Sequence, residues 1–248
     1  MNKATGIRSS IITLAAHESR KLWSSAAAYF VLVFVLLCSA VWFFLLHNFF
    51  ARDVASLRSY FAILPILYAI AIPAAGMHIW VQEFRSGTFE LLVSFPVTEW
   101  DLVIGKFLGI MSVVFTLVLL SVLVPLSVLP FGHFDIGQIF SEYFGIVLIG
   151  MSFAAFVCFV GAVWRSQISA FLVSTLFLLG ISVAGYVVSY VELPDALAAI
   201  IRYVSFYQRY TAFMKGIIDS RDVLYFVFFS FSALFANRLV LLFRRWQS

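Results

Sequence analysis

Glu83, Arg85, Glu90, Glu99, Asp101 and Lys106 crowd into one stretch, residues 83–106, between two long apolar runs. Acids and bases at this density could transfer protons, hold a cation or grip a charged partner. Catalysis and metal binding both need convergent donors in recognisable spacings, and the chain offers none. It has no H-E-x-x-H, no paired cysteines and no G-x-S-x-G elbow. His17, His47, His78 and His133 sit in four separate segments and read as packing or interfacial side chains rather than metal ligands. Gly105-Lys106 lacks the flanks of a phosphate-binding G-x-x-x-x-G-K-[ST] loop. Catalytic residues and metal ligands are therefore assigned to no position. An ionic grip remains.

The same stretch carries a helical pattern. Phe84, Thr88, Leu91 and Phe95 recur on one face, with Glu83, Arg85, Ser86, Glu90 and Ser94 on others. This predicts a short surface helix from Glu83 to Phe95, stopped by Pro96 because a residue before proline is driven out of the α region. Thr98 and Asp101 form a start signal for the next helix, which runs through Gly105 and Lys106.

The elements that hold this segment must be membrane spans. The chain of 248 residues is 63% hydrophobic and 11% charged, with a mean hydropathy of +1.05. A soluble domain carries about a quarter charged residues. Six apolar runs reach the ~20 residues that cross a bilayer: Ala26–Leu46, Ser59–Val81, Phe107–Leu129, Ile139–Val163, Ile168–Tyr190 and Val223–Leu242, charged only at Glu142 near the start of the fourth and Arg238 near the end of the last. The expected fold is thus an all-α polytopic membrane protein with six transmembrane helices, one membrane domain over residues 1–248. Pro65, Pro73 and Pro125 predict kinks within spans. Cys38 and Cys158 fall inside spans and read as small hydrophobes.

Lys and Arg counts favour both termini and residues 83–106 on the cytoplasmic side. The net charge of +4 sits at membrane borders, not on a basic stripe with interleaved aromatics, so nucleic acid is not an expected partner. Residues 1–25 are expected to form an amphipathic cytoplasmic segment, with Ile7, Ile11, Leu14 and Leu22 near one face and Arg8, Glu18 and Lys21 elsewhere. A frayed terminus is the competing reading. The external loop 191–222 predicts short helices, one opening at Pro194-Asp195 and one behind a Ser205–Gln208 capping box. Asp219 and Asp222 give a further start signal before the last span. Phe206, Tyr210 and Phe213 on the second helix are candidates for an external gate, against a plain lipid-anchored connector.

The strings Glu83-Phe-Arg-Ser-Gly-Thr-Phe-Glu-Leu-Leu92, Phe95-Pro-Val-Thr98 and Asp101 to Gly109 resemble the cytoplasmic coupling segment of ATP-binding-cassette (ABC) transporter permeases of the type 2 family. They are most similar to the gliding-motility-type branch. His17–Ser25 and Lys215–Phe226 resemble the lead-ins to the first and last spans of such permeases. The resemblance implies a bacterial inner-membrane permease subunit, working as a dimer with a second or homologous copy and docked by a separate ABC ATPase. ATP and magnesium belong to that ATPase, with no cofactor on this chain. A companion membrane protein with a large extracytoplasmic domain is also implied.

Carried onto this chain, the resemblance makes Glu83, Arg85, Gly87, Thr88 and Glu90 the ATPase-coupling residues, with Phe84, Leu91 and Phe95 seating the coupling helix. Many members have a second charge beside the glutamate and arginine, where this chain has Phe84. A solvated face is the competing reading of the charges. Two other functions compete with the permease: a non-transporting scaffold that anchors an assembly or signalling complex, and an ion-coupled carrier. Apolar span centres disfavour the carrier, which would need a titratable group at mid-membrane depth.

Overall fold

The computed structural model describes residues 3–47, 56–88, 98–132, 134–188 and 194–245. Every regular element among them is helical. In order they are α1 (Lys3–Trp23), α2 (Ala26–Val41), which passes into a π-helical turn (Trp42–Leu46), α3 (Arg58–Gly76), α4 (Val81–Ser86), α5 (Glu99–Ser121) and α6 (Leu123–Val128). A 3-10 turn (Leu129–Phe131) follows, then α7 (Ile136–Val163), α8 (Gln167–Val187), α9 (Asp195–Val204), α10 (Phe206–Phe213) and α11 (Ser220–Arg245).

Six stretches are long and apolar enough to cross a membrane: Ala26–Leu46, Arg58–Ser86, Glu99–Phe131, Ile136–Val163, Gln167–Gly185 and Ser220–Arg245. The second and fourth are the inner ones, 67% and 72% buried against 28–44% for the others. Accordingly α7 touches α3, α5, α8, α10 and α11. The outer helices present Phe30, Leu119, Leu176 and Phe228 to the lipid side, as a membrane solvent allows. Hydrophobicity cannot drive helices together in lipid, so small residues admit close packing. At Gly150 a Cβ would collide with the Val114 side chain of α5.

Caps fix several helix ends. Thr98 and Asp101 form the reciprocal box expected of them, with Thr98 N–H donating to Asp101 Oδ2 at 3.0 Å and Asp101 N–H donating to Thr98 Oγ1 at 3.3 Å. Asp135 accepts from Gly137 N–H at the start of α7. Asp219 accepts from Arg221 N–H before α11. Its expected partner Asp222 instead accepts from Arg209 at 2.9 Å. The Ser205–Gln208 box is not formed. Ser205 Oγ turns inward and accepts from Gly185 N–H of α8 at 3.1 Å, because α10 is packed into the bundle and the buried Ser205 hydroxyl there needs a partner.

α3 runs through Pro65 and Pro73, then breaks at Met77, whose N–H still reaches Pro73 O at 2.8 Å. The third span breaks at Val122, just ahead of Pro125.

Candidate coupling site

The segment between the second and third spans begins as a continuation of α3 and is rooted in the bundle by charge. The side chain of Lys106, on the second turn of α5, is fully buried. Its Nζ donates to Glu18 Oε1 of α1 at 3.0 Å, to Glu83 Oε1 of α4 at 2.5 Å and to the Ile79 carbonyl at 2.9 Å. It also lies 4.7 Å from the centroid of the Trp80 ring, a favourable place for a desolvated cation. Lys21, partly exposed, stands 3.7 Å from Glu83 Oε1. Two carboxylates thus share one buried ammonium, and a second lysine balances the charge from the rim. A buried ion cluster adds little net stability, but removing one member strands the others at about 3–5 kcal/mol. The cluster is a joint.

Two glycines let α1 reach that joint. A Cβ at Gly105 would sit 2.6 Å from Leu14 Cδ2, and one at Gly109 would sit 2.9 Å from Glu18 Cβ. Leu14, Glu18 and Leu22 recur every fourth residue and so share one stripe, with Glu18 and Leu22 each 2% exposed. This corrects the assignment of Glu18 to an outer face of the N-terminal helix. Ser112 extends the seam, accepting from Ser19 Oγ at 3.0 Å and from Trp23 Nε1 at 3.2 Å.

The expected coupling residues divide. Glu83 is 6% exposed and turned toward Lys106, not outward. In this conformation it is a root and not a surface contact, because the buried lysine outcompetes water for it. Gln82, Arg85, Ser86, Gly87 and Thr88 are the exposed residues of the segment. Nor is there one helix from Glu83 to Phe95. α4 stops at Ser86 and Gly87 has a φ of 70°, a left-handed conformation that a Cβ would strain, before helix resumes at Thr88. No atom lies within 4 Å of the Cβ that Gly87 lacks. Ser86 Oγ folds back onto Gln82 O at 2.9 Å and lies 2.8 Å from Thr88 Oγ1. Glu90, Leu91, Phe95 and Pro96 lie outside the described residues. Phe84 is half-buried, stacked on Trp80 at 5.9 Å and beneath the Arg244 guanidinium at 4.2 Å. Arg244 also donates to the Val163 carbonyl at 3.1 Å. The segment's root therefore touches α1, α5, and the ends of α7 and α11.

At the opposite end of the spans, Phe206, Tyr210 and Phe213 are fully buried. They seat α10 against α7, where a Cβ on Gly145 would meet both Tyr210 and Phe213 at 2.9 Å. Tyr210 Oη donates to Glu142 O at 3.4 Å, and burial, with the Glu142 charge second, holds the phenol well above its ordinary pKa. Gln138 Nε2 donates to Met214 O at 3.0 Å and to Glu142 Oε1 at 3.1 Å. The exposed apolar face at this end belongs to α9, through Leu197, Ile200 and Val204.

Sequence reasoning missed Glu18 and Lys106 as members of the joint. The signal for Glu18 was its place between Leu14 and Leu22. The signal for Lys106 was its Gly105 and Gly109 neighbours on one helix face.

Residues 50–243 match the family described as ABC-2 family transporter protein. The chain belongs to that family. Its members are multi-pass membrane subunits that imply an ABC ATPase partner. The match begins after α1 and α2, so Glu18 contributes to the joint from outside the matched region. No curated protein matches the chain.

Proposed function

We propose that this chain is the permease subunit of an ATP-driven transporter, which passes motion from a separate ABC ATPase to the membrane path. The observation that carries this reading is the buried Glu18–Lys106–Glu83 joint at the root of residues 83–106. A loop that only linked two spans would need no such anchorage. Because Lys106 binds both carboxylates, a push on α4 is delivered to α1 and α5 together rather than dissipated in a pliant loop.

In this reading the exposed residues Gln82, Arg85, Gly87 and Thr88, continued by Glu90, form the ATPase contact, and Glu83 anchors it. The ATPase hydrolyses ATP with its own magnesium, while this chain moves. Two copies, or this chain and a homologue, line the path. α10 with Phe206, Tyr210 and Phe213 closes its outer end, opening only by leaving its seat on α7. The Lys and Arg bias supports a cytoplasmic placement of both termini and of the coupling segment, in a bacterial inner membrane. The resemblance to the gliding-motility-type branch supports a companion with a large extracytoplasmic domain and either export or force transmission as the output. A non-transporting scaffold is the competing reading.

The test is recovery of the ATPase with the purified permease at matched expression. Arg85→Glu should reduce it strongly, since breaking a partly desolvated charge contact costs about 2–5 kcal/mol. Arg221→Glu, exposed at the other end of the spans, should leave it unchanged. Equal recovery with both variants would remove the coupling role of this face. Nucleotide-dependent movement of α4 in the recovered complex separates permease from scaffold.

A further inference from the structure

Three arginines near the end of α11 are held in three different ways. Arg245 Nη1 donates to Glu99 Oε1 at 2.6 Å. Arg244 rests on the Val163 carbonyl and the Phe84 ring. Arg238, two turns earlier, lies against an aromatic face, its guanidinium carbon 5.2 Å from the centroid of the Trp100 ring, and reaches the Glu99 carboxylate only through space. Among the described residues no carboxylate pairs with Arg238, and its buried Nε finds no hydrogen-bond partner.

Its surroundings face the bilayer. Phe231, Phe235 and Arg238 share one side of α11 at helical spacing. Phe231 and Phe235 each stack on Trp100 with ring centroids 6.4 Å apart, and they are 58% and 40% exposed. Trp100 opens α5, and its indole N–H makes no hydrogen bond to a described residue. From the middle of the membrane outward, this surface therefore offers two phenyl rings, an indole whose N–H bonds no described residue, and a guanidinium in no ion pair with a described carboxylate. That order mirrors a phospholipid, with acyl chain, interfacial esters and phosphate.

An arginine in a lipid-facing position is costly unless something answers its charge. A phosphodiester does so with two parallel hydrogen bonds to the guanidinium fork. Charge also selects the headgroup. Among the described residues Arg238, Arg244 and Arg245 outnumber Glu99, which pairs with Arg245 and feels Arg238 only through space. A zwitterionic headgroup would bring an ammonium into a surface whose described charges here are mostly positive.

We propose that Trp100, Phe231, Phe235 and Arg238 form a binding site for one anionic phospholipid in the leaflet at this end of the spans. The phosphate sits on Arg238, the Trp100 N–H points at its ester oxygens, and an acyl chain lies along Phe231 and Phe235. The site rests on the chain crossing the membrane, not on ATPase coupling, so it stands or falls separately from the proposed function.

The test is contact quenching in vesicles of phosphatidylcholine that contain a minor share of brominated phosphatidylglycerol or, in parallel, brominated phosphatidylcholine. Trp100 emission is the difference between the native protein and Trp100→Phe. Brominated phosphatidylglycerol should quench it about fivefold more per mole than brominated phosphatidylcholine, the factor set by one arginine near an anionic lipid. Arg238→Gln should abolish that excess, Arg238→Lys should keep part of it, and Arg221→Gln should leave it intact. Equal quenching of the native protein by both lipids overturns the proposal without reference to any variant. So does an excess that survives in Arg238→Gln, or one that disappears only in Arg245→Gln.

Discussion

At the scale of single residues the decisive group is the Lys106 ammonium, because among the described residues it is the fully buried cation that Glu18 and Glu83 both face. Lys106→Met keeps most of the side chain's bulk and removes the charge, leaving two carboxylates to repel each other. We expect a loss of about 3–5 kcal/mol, read as a lowered Tm of the purified protein. The triple variant Lys106→Met, Glu18→Gln, Glu83→Gln should recover most of that loss. Equal Tm values for the single and triple variants would show that packing, not charge, holds the joint. Little of this was legible in the sequence. A lone charge on a helix reads as solvated unless its tertiary partner is known, and the partners here are 88 and 23 residues away. Glu83 was found for its place in the charged segment and then turned out to face the opposite way.

Elements were far more legible. Span positions follow from apolar length, and the Thr98–Asp101 box from a local pattern, so both could be read directly. The Gly87 break and the inward turn of Ser205 could not. Gly87 adopts a left-handed stop that no contact around its missing Cβ imposes, and Ser205 is turned by the burial of its hydroxyl against α8. The pairing of α1 with α5 is likewise tertiary, and it depends on missing side chains. Gly105→Val would drive a Cβ into Leu14, an overpacking worth about 1–3 kcal/mol. α1 should then lift from α5, and trypsin should cut after Arg20 faster than in the native protein. An unchanged cleavage rate would mean that α1 is held by something other than this seam.

The molecule as a whole has three spans between Thr88 and Leu197, so the two positions must face opposite sides of the membrane. In a background with Cys38 and Cys158 replaced by alanine, Leu197→Cys should react with an impermeant thiol reagent in intact cells. Thr88→Cys should react only once the membrane is opened. The reverse pattern would invert the proposed orientation and put the coupling segment out of an ATPase's reach. At this scale the sequence conveyed the six-helix plan but not its centre. That the second and fourth spans are the inner ones depends on which apolar faces meet, and the middle of every span is apolar on more than one face.

The Lys106 joint also has a history within each molecule's birth. Glu18 leaves the ribosome 88 residues ahead of Lys106, an interval of roughly 4–18 s at ordinary translation rates. During that time its carboxylate has no buried cation to meet, and α1 must wait in contact with water while the first two spans are already being threaded. Only when the third span arrives can α1 dock on α5, and the end of α11 closes over the same root later still, with Arg244 on Phe84 and Arg245 on Glu99.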